Sequence, residues 1–497
     1  MGMETASART CQYLAIDLGA ESGRTIAGTI TGGKLSLSET HRFPNGPVRL
    51  QDGLHWDVQR LWSEIKHGLR QSPPVASLGV DTWGVDFALL DGHGALLGSP
   101  YHYRDARTDG MLAEAFQRIP REQIFAHTGI QFLQINSLYQ LLSMAVARDL
   151  RLEGAQTFLT IPDLFNHWLC GSLVCEFTNA TTTQCLNPLT HSWAFPLLEA
   201  LGIPAQIFPP VCEPGTILGN LLPAVAAETG AGSIPVIAPA CHDTGSAVVA
   251  VPARSQDFAW ISSGTWSIMG AEVQQPNLSE KALEYNFTNE GGVLGTWRLS
   301  KNIMGLWIVQ ECRRLWDAQG EALSYAEINR LAAAAPSFLA SIDPDAADFF
   351  HPGQMPEKVQ TFCARSGQAV PQSKGEIVRV VLESLALRYR LTLQQIEELA
   401  GTRLDPIHIT GGGSQNRLLN QLTADCTGRK VVAGPVEATA IGNILMQAIA
   451  LGHLGSLAEA RRMVSSSFDI ETYHPLNQAG WDEAFIKFVA LTGQSIA

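Results

Sequence analysis

The chain has no apolar run near the ~20 residues that a membrane-crossing helix needs, so it is not expected to span a bilayer. Its opening residues, MGMETASARTCQ, have neither the basic stretch nor the apolar core of a secretory leader, and Ala6 stands where a myristoylation signal needs Ser or Thr. Positive charge is also scarce: 34 Lys and Arg against 47 Asp and Glu give a formal charge of −13. That sign argues against a general nucleic-acid or anionic-membrane surface, because phosphate-rich partners are held by Lys and Arg. It does not exclude a small phosphorylated ligand, which local backbone N–H groups can hold. Paired cysteine spacing is missing too. The nine cysteines (11, 170, 175, 185, 212, 241, 312, 363, 426) include no C-x-x-C, and an odd number cannot all pair within one chain. Reduced thiols in a cytoplasmic protein are therefore expected, without a zinc site.

What is present is a long, ordinarily hydrophobic chain. Its 497 residues exceed what one core usually supports, so at least two domains are expected. Short alternating stretches at Tyr13–Ile16, Arg24–Ile30 and Leu35–Glu39 predict three strands joined by turns. Asp57 is placed to cap a helix with apolar positions Val58, Leu61, Trp62, Ile65 and Leu69, and Leu78–Asp81 and Val85–Leu90 read as further strands. The predicted order is β-β-β-α-β. A similar order starts again at Phe258–Ser263, returns through Thr265–Gly270 and Val293–Leu299, and continues into a helix over 303–316. Ser373 and Glu376 form a capping-box signature for a long helix with the stripe Ile377, Val381, Leu385, Tyr389 and Leu393. A strand at Pro406–Thr410 and a helix at Asn416–Cys426 follow. Two halves with one opening order suggest a duplicated α/β fold, divided near Val251–Gln256 into domains of 1–252 and 253–497.

Four segments carry chemistry. Asp17-Leu18-Gly19-Ala20-Glu21-Ser22-Gly23-Arg24 lies between two strands, where a glycine-rich bend lets backbone N–H groups approach phosphate oxygens. Asp17 can hold Mg²⁺ through water, although an ordinary hairpin explains the segment equally well. Ser262-Ser263-Gly264-Thr265-Trp266-Ser267 is the equivalent bend of the second half, and two such bends would grip a polyphosphate more specifically than one. Gly411-Gly412-Gly413 leaves room for a flat ring or ribose at a helix start, or is simply a tight strand–helix turn; it is neither a Walker A loop nor a G-x-G-x-x-G motif. Ala240-Cys241-His242-Asp243-Thr244-Gly245 follows an apolar strand, Pro235–Ala238. A carboxylate there can take a proton from a hydroxyl during phosphoryl transfer, or it caps a helix. An aspartic protease would need a second Asp-Thr/Ser-Gly, and Asp81-Thr82-Trp83 is not one. Trp83, Gly84, Asp86, Tyr103, Arg104, Asp105, Asn136, Thr178, Asn179 and Asn302 supply the aromatic and polar groups of a candidate sugar pocket.

Together with Gly79-Val80-Asp81-Thr82-Trp83-Gly84-Val85-Asp86-Phe87, Tyr103-Arg104-Asp105, Gly129-Ile130-Gln131-Phe132, Thr178-Asn179-Ala180-Thr181-Thr182-Thr183-Gln184, Lys301-Asn302-Ile303-Met304-Gly305-Leu306-Trp307 and Gly434-Pro435-Val436-Glu437-Ala438, these segments resemble the FGGY carbohydrate kinases through nearly the whole chain. The resemblance implies two ribonuclease-H-like, actin-like ATPase domains with a cleft between them. The sugar pocket, first phosphate bend and catalytic Asp would lie in 1–252, and the second bend and adenosine site in 253–497. It further implies that Ala20, Glu21, Ser22, Gly23, Arg24, Thr265, Gln310 and Gly412 contact ATP, with Mg²⁺ held at Asp17. Gly84, His242, Asp243, Thr244 and Asn302 would surround the sugar, with Asp243 as proton acceptor. The longer strings favour L-rhamnulose over other ketoses as the sugar. The implied partners are a small sugar and ATP, not nucleic acid or membrane, and the implied state is a monomer or small homo-oligomer in the cytoplasm. Glu21 departs from the pattern, since many relatives carry a small Ser there.

Overall fold

A computed structural model describes residues 10–494. They cluster into two compact units: the first takes residues up to Arg254 with Val273–Leu299 and Ala438–Ser467, and the second takes Ser255–Glu272, Ser300–Glu437 and residues from Phe468 onward.

The central sheet of the first unit has the order Ile217–Asn220, Pro235–Ile237, Leu78–Thr82, Cys11–Leu18, Ser22–Thr31, Lys34–Pro44. Cys11–Leu18 is antiparallel to Ser22–Thr31 and parallel to Leu78–Thr82, because a tight turn joins the first pair whereas a helix-bearing crossover joins the second. That crossover contains the helix Val58–Gln71, capped as expected by the Asp57 side chain accepting from the Arg60 N–H. It also contains an unanticipated hairpin, Pro47–Leu50 with Gly53–Trp56. Val85 does not begin a strand: its φ is +68°, and the strand starts at Phe87 and pairs with Thr157–Thr160 outside the main sheet. The helix Ala438–Ala450, late in sequence, packs on the strands Cys11–Leu18 and Leu78–Thr82 and on the helix Asp243–Val249. The last contact requires Gly442, where a Cβ would stand 1.8 Å from the Ser246 carbonyl oxygen.

In the second unit the strand order repeats. Trp266–Val273 is antiparallel to Ala259–Ser263, which is parallel to Ile407–Thr410, itself parallel to Val431–Ala433. Two expectations shift in the stretch of chain that runs from the first unit into the second. Residues 293–296 form a turn with Leu294 at φ +53° and Gly295 at φ +81°, and the strand is Trp297–Met304. Ile303 and Met304 therefore end a strand, and the helix begins at Trp307. The Ser373–Glu376 capping box opens the helix Lys374–Ala400 as its sequence requires, and the stripe from Ile377 to Leu393 is buried. Burying each such aliphatic side chain contributes ~1.5–3 kcal/mol, ample to hold a helix of this length in place.

The tail divides. Helix Leu457–Ser467 stays with the first unit, where Ser467 Oγ accepts from the Leu35 N–H at 3.0 Å. Glu471–Tyr473 then adds an antiparallel strand beside Val431–Ala433, and helix Trp481–Thr492 packs on Lys374–Ala400 through Arg390–Asp482 at 2.7 Å.

Candidate active site

In the first unit, the parallel register sets Asp17 opposite Asp81 and the antiparallel register sets Asp17 opposite Arg24. Arg24 therefore reaches Asp17 Oδ2 with Nε at 3.1 Å and Nη2 at 2.9 Å. The bend between these strands closes through Gly19 N–H to the Ser22 carbonyl, 2.9 Å, and is steadied by Asn45, whose Nδ2 donates to the Gly19 carbonyl at 2.8 Å. Gly23 is obligatory for packing, since a Cβ there would lie 2.3 Å from the Phe43 ring. Ala20 and Ser22 are half-buried on the bend, while Glu21 is exposed.

Asp81 is fully buried and receives Asn443 Nδ2 at 2.5 Å; Asn443 in turn accepts from Gln447 Nε2 at 2.7 Å, and Gln447 accepts from Ser77 Oγ at 2.7 Å. Burial, followed by the neighbouring Asp17 charge, pushes the Asp81 carboxyl well above the usual range. Its Oδ1 is buried without a hydrogen-bond partner.

Asp243 is not the helix cap. His242 holds that position, and Asp243 is the first residue of the helix Asp243–Val249. Its Oδ1 accepts from the Thr244 N–H at 2.5 Å and the Thr244 Oγ1 at 3.2 Å, leaving the side chain 30% exposed. Burial raises its pKa, and the Asp17 carboxylate adds to the rise. The backbone that presents Asp243 is fixed from below. Glu176 Oε2 accepts from the Cys241 N–H at 3.0 Å, Thr178 Oγ1 accepts from the His242 N–H at 3.1 Å, and the Cys241 carbonyl accepts from the Thr82 N–H at 2.9 Å. Glu176 itself is buried, its pKa pushed up to about 8 mainly by that burial. Gly84 lies against Thr182, where a Cβ would meet Oγ1 at 2.9 Å.

Several pocket candidates have structural tasks instead. Asp86 accepts from Trp56 Nε1 at 2.6 Å, Trp83 Nε1 at 3.0 Å and Gln140 Nε2 at 2.8 Å, which makes it a buried hub that orients two indoles. Asp105 caps a short 3₁₀ helix and accepts from the Leu54 N–H; Asn136 is tied to the Gln131 carbonyl and Gln184.

In the second unit, Thr265, Gln310 and Gly412 gather at one end of the sheet. The Thr265 carbonyl accepts from the Trp307 N–H at 3.1 Å, and Gln310 lies one turn along that helix with a buried Oε1 lacking a hydrogen-bond partner. The strand before Gly412 is parallel to the strand before Gly264. Gly413 packs on Ser263, where a Cβ would fall 2.0 Å from Oγ, whereas a Cβ on Gly412 would meet nothing within 4 Å. Asn302 belongs to this second unit, on the strand Trp297–Met304. The contacts of Gly84, His242, Asp243 and Thr244 are those of the first unit.

Sequence reasoning missed four residues that organise the first unit's site: Glu176, Glu290, Arg298 and Asn443. Glu176 had a signal, an acid directly before Phe177-Thr178-Asn179, because such an acid at a helix start accepts the free N–H groups; it accepts from Thr178 and Asn179 N–H here. The other three had none, since their partners are distant in sequence.

The pattern of the FGGY family of carbohydrate kinases, N-terminal domain, matches residues 12–250, and that of its C-terminal domain matches 259–451. Among curated relatives, the rhamnulokinase of Bacteroides thetaiotaomicron is 44% identical over 480 residues, covering 96% of this chain and 98% of that protein. The rhamnulokinase of Oceanobacillus iheyensis is 43% identical over 472 residues, 94% and 99% covered. Among solved structures, a gluconate kinase from Lactobacillus acidophilus matches with a TM-score of 0.80 at 18% identity, covering 98% of each chain. A Plasmodium falciparum glycerol kinase with ADP matches with 0.77 at 14% identity, covering 98% and 99%; these two speak to the fold. The chain belongs to the FGGY family of carbohydrate kinases and has their two-domain α/β, actin-like ATPase fold.

Proposed function

We propose that this chain transfers the γ-phosphoryl group of ATP to the first-carbon hydroxyl of L-rhamnulose, giving L-rhamnulose 1-phosphate and ADP. The relatives that share over two fifths of its residues along their full length support the substrate. The observation that carries the chemistry is Asp243: a partly exposed carboxylate at a helix start, raised by burial and by Asp17, with Oδ1 oriented by Thr244. Such a group receives the hydroxyl proton as the phosphoryl transfers, and its raised pKa brings it nearer the working pH. Because phosphoryl transfer passes through a loose transition state, holding the hydroxyl in line matters more than base strength. Gly84, His242, Thr244 and Asn302 are the proposed sugar contacts. Ala20, Glu21, Ser22, Gly23, Arg24, Thr265, Gln310 and Gly412 are the proposed nucleotide contacts.

The carboxylates fit a magnesium ion that keeps most of its waters. Asp17 and Asp81 stand in register and Asp81 Oδ1 has no hydrogen-bond partner, a donor set of few carboxylates that suits an ion keeping most of its waters. Asp17 would hold the ion, which when bound offsets charge on the phosphate oxygens. We place the reaction in the cytoplasm, catalysed by a monomer or small homo-oligomer. Nine free cysteines support the location. The test is ADP release with L-rhamnulose, L-fuculose, L-xylulose, D-xylulose and glycerol. The highest kcat/KM is expected for L-rhamnulose; a clear preference for another sugar would remove the substrate and leave the kinase.

A further inference from the structure

Behind Asp243 lies a buried chain of charged groups that the reaction as described does not use. Arg298, only 1% exposed, donates from Nε to the Gly291 carbonyl at 2.8 Å and from Nη2 to His242 Nδ1 at 3.1 Å. Glu290 Oε2 is 3.1 Å from the same Nη2 and 3.2 Å from His242 Nδ1. On its other side, His242 Nε2 is 3.4 Å from Asp243 Oδ1. The imidazole is thus held between an ion pair and the catalytic carboxylate, all within the first unit.

The two neighbours of Nδ1 demand opposite tautomers. A carboxylate calls for a proton on Nδ1, whereas a guanidinium, which cannot deprotonate, calls for a lone pair there. The geometry decides between them. The Arg298 N–H is aimed at Nδ1 within hydrogen-bond limits, whereas Glu290 Oε2, although 3.2 Å from Nδ1, is not aligned to accept from it. Burial alone would raise the Glu290 carboxyl, but the groups around it, Arg298 foremost, hold it below its ordinary value, so it stays charged and balances Arg298.

We infer that Arg298, balanced by Glu290, is a positioning residue that keeps a lone pair on His242 Nδ1 and its proton on Nε2, so that the imidazole donates a hydrogen bond beside Asp243 to an oxygen of the bound sugar. Arg298 and Glu290 touch no reactant; they act through His242. The inference rests on the sugar-kinase reading for its purpose, but its structural core does not depend on which sugar is used.

The experiment combines nitrogen-15 NMR of histidine-labelled protein with steady-state kinetics. The His242 signals are identified by their loss in His242→Asn. In the unliganded wild type, the proton is expected on Nε2; a proton on Nδ1 overturns the inference and leaves the kinase reading untouched. Arg298→Gln should shift His242 toward the Nδ1–H form and raise KM for the sugar about tenfold, the scale of one lost hydrogen bond, with KM for ATP unchanged. Arg298→Lys, which keeps a cationic donor, should recover part of that loss. Equal losses toward sugar and ATP in both variants, with the tautomer unmoved, would reduce Arg298 to a packing residue and sink the proposal. Should Arg298→Gln fail to fold, Glu290→Gln and the wild-type spectrum still decide. If no sugar is phosphorylated by any form, the kinase reading fails by itself, and the tautomer remains a separate measurement.

Discussion

The bend after Leu18 and the bend after Ser263 are the same backbone device used twice, each joining two antiparallel strands of which the first is parallel to the next strand of its sheet. Their chemistry differs. The first bend is charged: Asp17 is paired with Arg24, set beside Asp81, and felt by Asp243. The second is neutral, built from Ser263, Gly264 and Thr265, with Gly413 packed on Ser263 and Ser267 Oγ hydrogen-bonded to the Tyr389 hydroxyl at 2.7 Å. A duplicated fold has thus kept the shape of the turn in both halves and put the carboxylates at one of them. The neutral bend can offer backbone and hydroxyl donors without repelling an anion, while the charged bend needs a counter-ion to do so.

The largest effect should come from the charged side. Asp243→Asn removes the proposed proton acceptor and is expected to lower kcat by roughly 10²–10⁴ at saturating ATP and sugar; turnover near wild type would end the assignment. Next comes the neutral side. Gly413→Ala drives a methyl group into Ser263 and should destabilise the protein by about 1–3 kcal/mol, read in denaturant unfolding. Gly412→Ala has open space for its methyl and should leave stability unchanged. If ATP lies there, it raises KM for ATP by about tenfold, the loss of a single contact. An unchanged KM would separate Gly412 from the nucleotide.

A subtler test reads the coupling between the carboxylates. Asp243 must be unprotonated to accept, so kcat/KM for the sugar falls as pH drops through its pKa. Because that pKa is raised, the fall begins at a higher pH than an ordinary aspartate would give. Asp17→Asn removes one of the raising charges, and the acid limb should move to lower pH. No displacement would show the first bend to be electrically independent of Asp243. Smallest of all, Glu21→Ser should change KM for ATP by less than about threefold, because the Glu21 side chain is exposed and solvent screens its charge. A larger drop would mean that this carboxylate faces the phosphates after all.

Much of this comparison was legible in residues that act locally. The capping pairs Asp57 with Arg60 and Ser373 with Glu376, the glycine bends, and the apolar stripe along Lys374–Ala400 are short-range patterns, and the chain follows them. Local pattern misled where a turn interrupted an apolar run, as at Val85 and Leu294, both forced to positive φ, and at Ile303, where strand and helix residues are equally apolar. Asp86 and Asp105 looked like sugar ligands because their residue types suit sugars, yet their oxygens are taken by Trp56, Trp83 and Leu54.

The sequence by itself determined the kinase family, the repeated strand–bend–strand openings, and Asp243 as a carboxylate at a strand-to-helix junction, since each is written in contiguous residues with local backbone demands. Only the tertiary structure decided which groups stand behind them. Asn443 reaches Asp81 from 362 positions away, Arg298 reaches His242 from 56, and the tail after Ser456 serves the first unit and then the second. Such contacts are set by packing between elements distant in the chain, and no local propensity encodes them.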